Sequence, residues 1–338
     1  MQEVKDKFSV VVPVFNSKSC LRQCLDSILA AMERYANSEL IVLDNGSDDG
    51  SHEILVNEYS GRARVQQISG VPVGAVRNRG ALMADGEFVT FIDSDCVVAT
   101  NIFEQALRVL RSTGADATGS EYALGDSAHW IEETWYMVHT PPSDGPVRFI
   151  TSGNLVVKRS AFLAVGGFDE KMISCEDMDL GARLNKAGFK VYQAHSVRTF
   201  HLGGDKSLRV FFLKNAWRSM GMYRMMKKTW LSKPVLVLFV HTLLCALAVA
   251  NLFASHATLA TRILIFALLV NMAPVLTLLY RAWQVKRLYS PIKSIPLYHI
   301  YFLSQLYALW KVVVSLGASL ETKHARSARL HRSAKPNP

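Results

Sequence analysis

Residues 87–95 read Glu-Phe-Val-Thr-Phe-Ile-Asp-Ser-Asp, an apolar run that ends abruptly in two carboxylates. Phe, Val, Thr and Ile favour a pleated backbone, and Asp85-Gly86 in front of them reads as a turn. A continuous apolar run, rather than an alternating one, predicts a strand covered on both faces. A strand tip that releases Asp93 and Asp95 into a turn lets both approach one cation. Mg2+ or Mn2+ is held in this way, through one or two carboxylates with phosphate oxygens and water completing the sphere. An acidic turn on a surface has the same sequence, so the neighbouring segments decide between the two.

Outward from this strand the pattern repeats. Residues 8–14 (Phe-Ser-Val-Val-Val-Pro-Val) form another apolar run, and 40–43 and 65–68 give two more predicted strands. Between them Leu21, Leu25, Ile28, Leu29 and Met32 recur at helical spacing. Helices are also predicted over 51–59, 74–83 and 101–113, the first opened by Asp48, Asp49 and Ser51. Strand–helix alternation of this kind implies an α/β fold with a parallel sheet wrapped by helices. Ligands of open α/β sheets bind at the carboxyl ends of the strands, and the polar clusters Asn16, Asp44–Asp49 and Asp93–Asp95 all follow strands. Residues 115–205 are more mixed, with predicted strands over 148–157 and 190–197 and a helix over 176–187.

Each cluster has a chemical and a structural reading. Asp44-Asn45-Gly46-Ser47-Asp48-Asp49-Gly50-Ser51 faintly resembles a calcium loop, but Leu55 stands where a bidentate Glu is required. A turn in which Asp44 accepts hydrogen bonds from a base or ribose fits better; a well-capped strand–helix connection is the alternative. Gly74-Ala75-Val76-Arg77-Asn78-Arg79-Gly80 opens a helix near which a phosphate could sit, with Arg77 supplying charge and Arg79 solvated. The GxGxxG fingerprint of dinucleotide binding is absent, which argues against a dehydrogenase. Cys175-Glu176-Asp177-Met178-Asp179 crowds three acids at a helix start, where the macrodipole stabilises them. Asp177 could equally be a general base, given apolar surroundings or neighbouring carboxylates to raise its pKa.

Charge divides the 338 residues in two. Residues 1–205 carry 19 Lys and Arg against 27 Asp and Glu, a net of −8; residues 206–338 carry 19 against the single acid Glu321, a net of +18. Such asymmetry suggests a membrane or nucleic-acid partner for the basic half. Residues 206–233 interleave Lys206, Arg209, Lys214, Arg218, Arg224, Lys227, Lys228 and Lys233 with Phe211, Phe212, Trp217, Tyr223 and Trp230, as a helix lying at a membrane surface would. Residues 234–254 and 263–280 are then long and apolar enough to span a bilayer, Pro274 notwithstanding. A third stretch, 295–320, has Ser304, Lys311, Ser315 and Ser319 near one face and a basic tail from Lys323 behind it. The Lys/Arg bias keeps that tail on the cytoplasmic side, which favours an in-plane or re-entrant helix over a third crossing. Membrane-length runs between the charges make a nucleic-acid surface a poor reading. The opening residues carry no apolar leader, which gives the expectation that the first domain faces the cytoplasm at the cytoplasmic (inner) membrane. Five cysteines with irregular spacing (Cys20, Cys24, Cys96, Cys175, Cys245) are expected to be free thiols.

Taken together, VVPVFN (11–16), VLDNGSDDGS (42–51), GAVRNRG (74–80), FIDSD (91–95), SGNLVVKRSAFLAVGGFDE (152–170) and CEDMDLGARLNKAGFKV (175–191) resemble the family 2 glycosyltransferases of bacterial, membrane-associated type. The resemblance covers about residues 8–205, in family order. It implies a GT-A fold, a Rossmann-like nucleotide-diphospho-sugar transferase core, with membrane-associated helices behind it. The implied organisation is a catalytic domain at 1–205, a basic juxtamembrane segment at 206–233, a membrane region at 234–320 and a basic tail at 321–338. Asp44 would contact the nucleotide base, Asp93 the ribose or sugar, and Asp95 a Mg2+ or Mn2+ bridging the diphosphate. Asp177 would deprotonate the acceptor hydroxyl, and His201, in FHLGG, would reach the metal or diphosphate. The matching segments put Pro13, Phe15, Asn16, Asn45, Arg77 and Ser94 on the donor side and Gly153, Asn154 and Glu176 on the acceptor side. The implied reaction is inverting, metal-dependent transfer of one sugar from a nucleotide-sugar, UDP more often than GDP, to a glycan or a polyprenyl- or other lipid-linked acceptor. The Gln-x-x-Arg-Trp motif of processive synthases is missing, and Ala216-Trp217-Arg218 reverses its last pair, which favours single additions. Two other classes compete. Nucleotidyltransferases making nucleotide-sugars usually carry a Gly-rich, Arg-containing loop after the first strand, which Pro13-Val14-Phe15-Asn16-Ser17 lacks. A non-catalytic, membrane-tethered binding module would not need Asp44, Asp93, Asp95 and Asp177 all intact.

Overall fold

The computed structural model describes residues 4–125, 128–202, 204–225, 233–253 and 257–317. They form two compact units, Met1–Lys206 with Gln284–Arg287, and Ser207–Trp283 with Leu288 onward.

The first unit begins β1 (Val4–Val14), α1 (Leu21–Arg34), β2 (Ser38–Asp44), α2 (Ser51–Ile54) with a wider π turn at Leu55–Tyr59, β3 (Arg64–Gln67), α3 (Val73–Met83) and β4 (Gly86–Ile92). These four strands lie side by side in the order β3-β2-β1-β4, all parallel. Their registers pair Val14 with Asp44 and Val11 with Phe91. The carboxyl ends of β1, β2 and β4 therefore share one edge, and three loops leave it together. Strand alternation sends Phe8, Val10, Val12 and Val14 to one face, against Leu21, Leu25 and Ile28 of α1. Val11, Ile41, Leu43, Val89 and Phe91 go to the other, against Val76 of α3. Both faces are covered, as the apolar runs predict.

The chain continues as β5 (Cys96–Val98), α4 (Ile102–Thr113), β6 (Ala117–Gly119), α5 (Trp130–His139), β7 (Gly145–Pro146), β8 (Asn154–Lys158), α6 (Arg159–Ala164), α7 (Glu176–Lys186), β9 (Val191–Gln193) and β10 (Thr199–His201). The sheet extends as β4-β8-β6-β9-β7, with β8 antiparallel to both neighbours. β10 pairs antiparallel with β5 in a small second sheet.

Two predicted strands come out shorter than expected. The one read over 148–157 begins only at Asn154, because the Asn154 amide closes a turn on the Thr151 carbonyl at 3.1 Å. The one read over 190–197 ends at Gln193, because the chain then turns, the Val197 amide closing on the Ala194 carbonyl at 3.0 Å. All five cysteines are free, and burial pushes the thiols of Cys24 and Cys96 well up.

The second unit holds α8 (Leu208–Met225), α9 (Lys233–Leu252), α10 (Leu259–Val285) and α11 (Pro291–Gly317). Pro234–Leu252 and Leu259–Val285 are long and apolar enough to cross a membrane, and 22% and 17% of their apolar windows are buried within the protein. Leu236, Phe239 and Leu243 of α9 and Ile263, Leu264 and Leu268 of α10 are exposed. In α11 the polar Ser304 and Gln305 are buried, while Leu303, Trp310, Val313 and Val314 are exposed. Ser304 therefore does not share an exposed polar stripe with Lys311; it faces the interior, and its hydroxyl donates to the Tyr301 carbonyl at 2.6 Å. Tyr223 of α8 donates to Gln305 of α11 at 2.8 Å, and His299 of α11 lies 3.1 Å from the Asn271 side-chain oxygen of α10. Polar groups inside and apolar groups outside reverse the pattern of a water-exposed surface. The expectations placed on Lys227, Lys228, Trp230, Ser319 and the tail from Glu321 lie outside the described residues.

Candidate active site

The three loops at the sheet edge are tied to one another. After β1 the chain turns through Asn16, whose φ of 51° is a left-handed value that asparagine tolerates. That turn lets the Asn16 side chain accept the Asp48 amide at 2.9 Å, while the Asn16 amide donates to Ser47 Oγ at 3.0 Å. One residue on, the hydroxyls of Ser17 and Ser94 meet at 2.6 Å, joining the first loop to the Asp93–Asp95 turn. Phe15 of the same loop is 55% exposed.

Asp44 closes β2 with no exposed surface. Its Oδ1 accepts from the Ser47 amide (3.2 Å) and hydroxyl (2.5 Å), its Oδ2 from Gln67 (3.1 Å), and His52 Nδ1 lies 3.3 Å away. A buried carboxylate so fully engaged shapes the loop from beneath. Asn45 is spent similarly, donating to the Val71 carbonyl at 2.9 Å.

The centre of the site is an ion-paired chain. Arg77, one turn into α3 and only 3% exposed, donates to Asp93 Oδ1 and to Glu176 Oε1, both at 2.6 Å. Its guanidinium also lies 5.6 Å from the centre of the Phe168 ring. Burial alone lowers an arginine's pKa, but the Asp93 and Glu176 carboxylates outweigh it and hold Arg77 above its ordinary value. Glu176 opens α7 after a left-handed Cys175 (φ 64°), which turns the chain so that Glu176 is buried against Arg77 with Asp177 next to it. Burial, then the neighbouring Glu176 charge, push the Asp177 carboxyl from 3.8 up to about 7, against the Met178 amide and Arg77, which lower it. That is the range of a general base working near neutrality.

On the other side of Asp93, the β10–β5 ladder sets His201 opposite Cys96, so that His201 Nε2 lies 3.1 Å from Asp95 Oδ2. Among the described residues no group of three or more His, Cys, Asp or Glu is arranged to hold a cation. Asp95 and His201 instead offer one carboxylate and one imidazole, the carboxylate 39% exposed. A carboxylate and an imidazole this close have the chemistry to supply two ligands to a cation whose remaining ligands are phosphate oxygens and water.

Residues 9–162 match the family described as glycosyl transferase family 2, and residues 88–285 match glycosyl transferase family group 2. The chain belongs to glycosyltransferase family 2. GlyA of Streptococcus pneumoniae, a glycosyltransferase, is 35% identical over 141 residues, which is 39% of this chain and 20% of GlyA. The glycosyltransferase AglE of Haloferax volcanii is 26% identical over 200 residues, 57% of this chain and 66% of AglE. The chain thus spans a fifth and about two thirds of these two relatives' lengths. Among solved structures, the mannosyltransferase PcManGT from Pyrobaculum calidifontis, in complex with GDP-Man and Mn2+, shares the fold at TM-score 0.59 and 15% identity, over 91% of this chain and 87% of that one.

In this family 2 chain the expected site residues fall into three groups. Arg77, Asp93 and Glu176 are joined by hydrogen bonds, Gly153 lies against Asp93, Asp177 follows Glu176, and Ser94, Asp95 and His201 continue from the Asp93 turn. Phe15, Asn16 and Asn45 lie on the adjoining loops, and Asp44, expected to meet the base, has no exposed surface and braces those loops from beneath instead. Pro13 and Asn154 do not reach the cleft surface: Pro13 is buried in β1 opposite Leu43, and Asn154 has no exposed surface. Asn154 donates instead to the Ser120 and Val197 carbonyls (3.2 and 2.8 Å) and ties β8 to the segment between β9 and β10. Arg77 is likewise not a free phosphate ligand, since both terminal nitrogens are committed to carboxylates. Sequence reading missed Tyr122, whose hydroxyl donates to Asp93 Oδ2 at 3.0 Å. It lies in a segment with no periodicity to mark it.

Proposed function

We propose that this glycosyltransferase moves one sugar from a nucleotide-sugar to a hydroxyl of a lipid-linked or glycan acceptor, by a single inverting displacement at the cytoplasmic face of a membrane. One observation carries the reading: a single buried guanidinium joins Asp93 to Glu176, the neighbour of Asp177, so a donor carboxylate and a base with a pKa near 7 belong to one rigid constellation.

Asp177 accepts the proton of the acceptor hydroxyl as its oxygen forms a bond to the anomeric carbon. The bond from that carbon to the diphosphate breaks with its electron pair leaving on the nucleoside diphosphate. Attack from the face opposite the leaving group inverts the anomeric centre. Asp93 and the Asn16–Ser47–Ser94 network orient the sugar and nucleotide, and their mutual hydrogen bonds mean little rearrangement is required on binding. Asp95 and His201 would hold Mg2+ or Mn2+, which neutralises charge developing on the departing diphosphate. The GDP-Man and Mn2+ bound by PcManGT support a nucleotide-sugar donor with a divalent cation here; family frequency favours UDP.

The membrane assignment rests on α9 and α10, with their apolar outer surfaces, and on the basic residues of α8. The buried Ser304 and Gln305 and the apolar outer face of α11 favour α11 being embedded with them. Tethering raises the effective concentration of lipid acceptors. To test the acceptor class, membranes carrying the protein are incubated with labelled UDP- and GDP-sugars and extracted into organic and aqueous phases. Label in the organic phase supports a lipid-linked acceptor; recovery of all label on water-soluble products overturns it.

A further inference from the structure

Asp93 is gripped on both oxygens. Arg77 holds Oδ1 at 2.6 Å, and the hydroxyl of Tyr122 holds Oδ2 at 3.0 Å. The same hydroxyl accepts from Thr151 Oγ1 at 3.4 Å, which fixes where its own proton points. The Tyr122 ring meanwhile packs on the His201 imidazole, with centroids 4.9 Å apart and planes tilted by 45°. One side chain therefore touches the donor carboxylate with its tip and the cation-side histidine with its face.

The room for this arrangement comes from Gly153. A Cβ at that position would collide with the Tyr122 hydroxyl and the Asp93 carboxylate. Gly153 and Asp93 are brought together where β8 runs antiparallel to β4, with Ile92 opposite Asn154. Any larger residue at 153 would drive Tyr122 and Asp93 apart. The glycine, the tyrosine and the carboxylate form one packing unit with no slack.

We infer that Tyr122 is a positioning residue of the donor site, setting the Asp93 carboxylate through its hydroxyl and the His201 imidazole through its ring. The inference rests on the nucleotide-sugar reading above. Without the hydroxyl, Asp93 keeps its Arg77 bond but is free to rotate about it, and its second oxygen no longer faces the donor in one orientation. Without the ring, His201 loses the surface against which it stands beside Asp95.

Two substitutions separate these roles. Tyr122→Phe removes the hydroxyl and keeps the ring; Tyr122→Leu removes both. The full chain in detergent is titrated with UDP- and GDP-sugars at saturating Mn2+, then with Mn2+ at fixed donor, alongside steady-state KM and kcat and thermal unfolding. An Asp93 carboxylate released from one of its two holds should bind the donor about tenfold more weakly, the scale of one hydrogen bond to a charged group. Tyr122→Phe should show that loss in donor Kd and KM, with an unchanged acceptor KM and a Mn2+ midpoint within about twofold of the parent, whatever the accompanying fall in unfolding temperature. Tyr122→Leu should also shift the Mn2+ midpoint. Gly153→Ala should weaken donor binding at least as much as Tyr122→Phe. A Tyr122→Phe protein that binds donor as tightly as the parent overturns the inference, as does one whose only change is a lower unfolding temperature. A parent chain that binds no nucleotide-sugar at all overturns the glycosyl-transfer reading itself, a result distinct from either of these.

Discussion

Arg77 and Glu176 meet at 2.6 Å with both side chains buried, although 99 residues separate them in sequence. The contact locks α3 to the start of α7 and so fixes where Asp177 stands relative to the Asp93–Asp95 turn. Removing one partner of a buried ion pair strands the other charge, at a cost of roughly 3–5 kcal/mol. Arg77→Ala should therefore destabilise the protein by about that amount, measured by denaturant unfolding of the detergent-solubilised chain. A change below about 0.5 kcal/mol would mean that water or rearrangement rescues Glu176 and that the clamp is not structural.

Asp177 gives a pH dependence with a definite sign. Its carboxyl is raised from 3.8 to about 7, by burial first and Glu176 second. As the proposed base Asp177 has to be deprotonated, so kcat/KM should rise with pH and level off above about 7, and Asp177→Asn should abolish transfer while donor binding persists. Stability runs the other way: the raised pKa favours the folded state fully below 3.8, an advantage lost as pH rises through about 7. Asp177→Asn should accordingly be more resistant to denaturant than the parent at pH 8. Loss of donor binding together with activity would contradict the role as base.

For the proposed cation site, Asp95 and His201 are separable from the clamp. Asp95→Ala should remove the Mn2+-dependent part of donor binding, and His201→Ala should weaken it, with little change in unfolding because the Asp95 carboxylate is 39% exposed. Calorimetric titration of donor with and without Mn2+ reads this directly. Equal donor affinity in the presence and absence of Mn2+ for the parent would remove the cation from the account.

Helix α3 lies hard against the sheet at Gly80, where a Cβ would collide with Val11 and come within 2.9 Å of Leu43 Cδ1. Gly80→Ala should force the helix outward, at about 1–3 kcal/mol for overpacking. Arg77 sits one turn earlier on the same helix, so the donor KM should rise as well. Unfolding and steady-state kinetics on one preparation test both; a stable variant with an unaltered KM would show that α3 can shift without disturbing Arg77.

Much of this was legible in the chain because the signals are local. The apolar runs around Val11, Ile41 and Phe91 imply a sheet covered on both faces, and carboxylates at their ends imply a site at the strand tips. Pairing across distance is less legible. Arg77 reads as a phosphate ligand from its helix alone, yet it faces inward because Glu176, far along the chain, supplies a second buried charge. His201 could be named from its motif, but its approach to Asp95 depends on β5 and β10, strands of three residues each and too short for any periodicity to mark. Tyr122 was invisible for the same reason, since nothing in its segment repeats. The polar residues of α11 show the opposite failure: helical spacing put Ser304 and Lys311 near one face, and packing against α8 and α9 turned Ser304 inward.

The most direct measurement is donor turnover by purified full-length protein in detergent, with UDP- and GDP-sugars, a membrane lipid extract as acceptor source and Mn2+. Release of nucleoside diphosphate with stoichiometric transfer of the sugar, lost in Asp177→Asn and Asp95→Ala, is the result expected. Pyrophosphate release from a nucleoside triphosphate, or turnover that survives both substitutions, would contradict it.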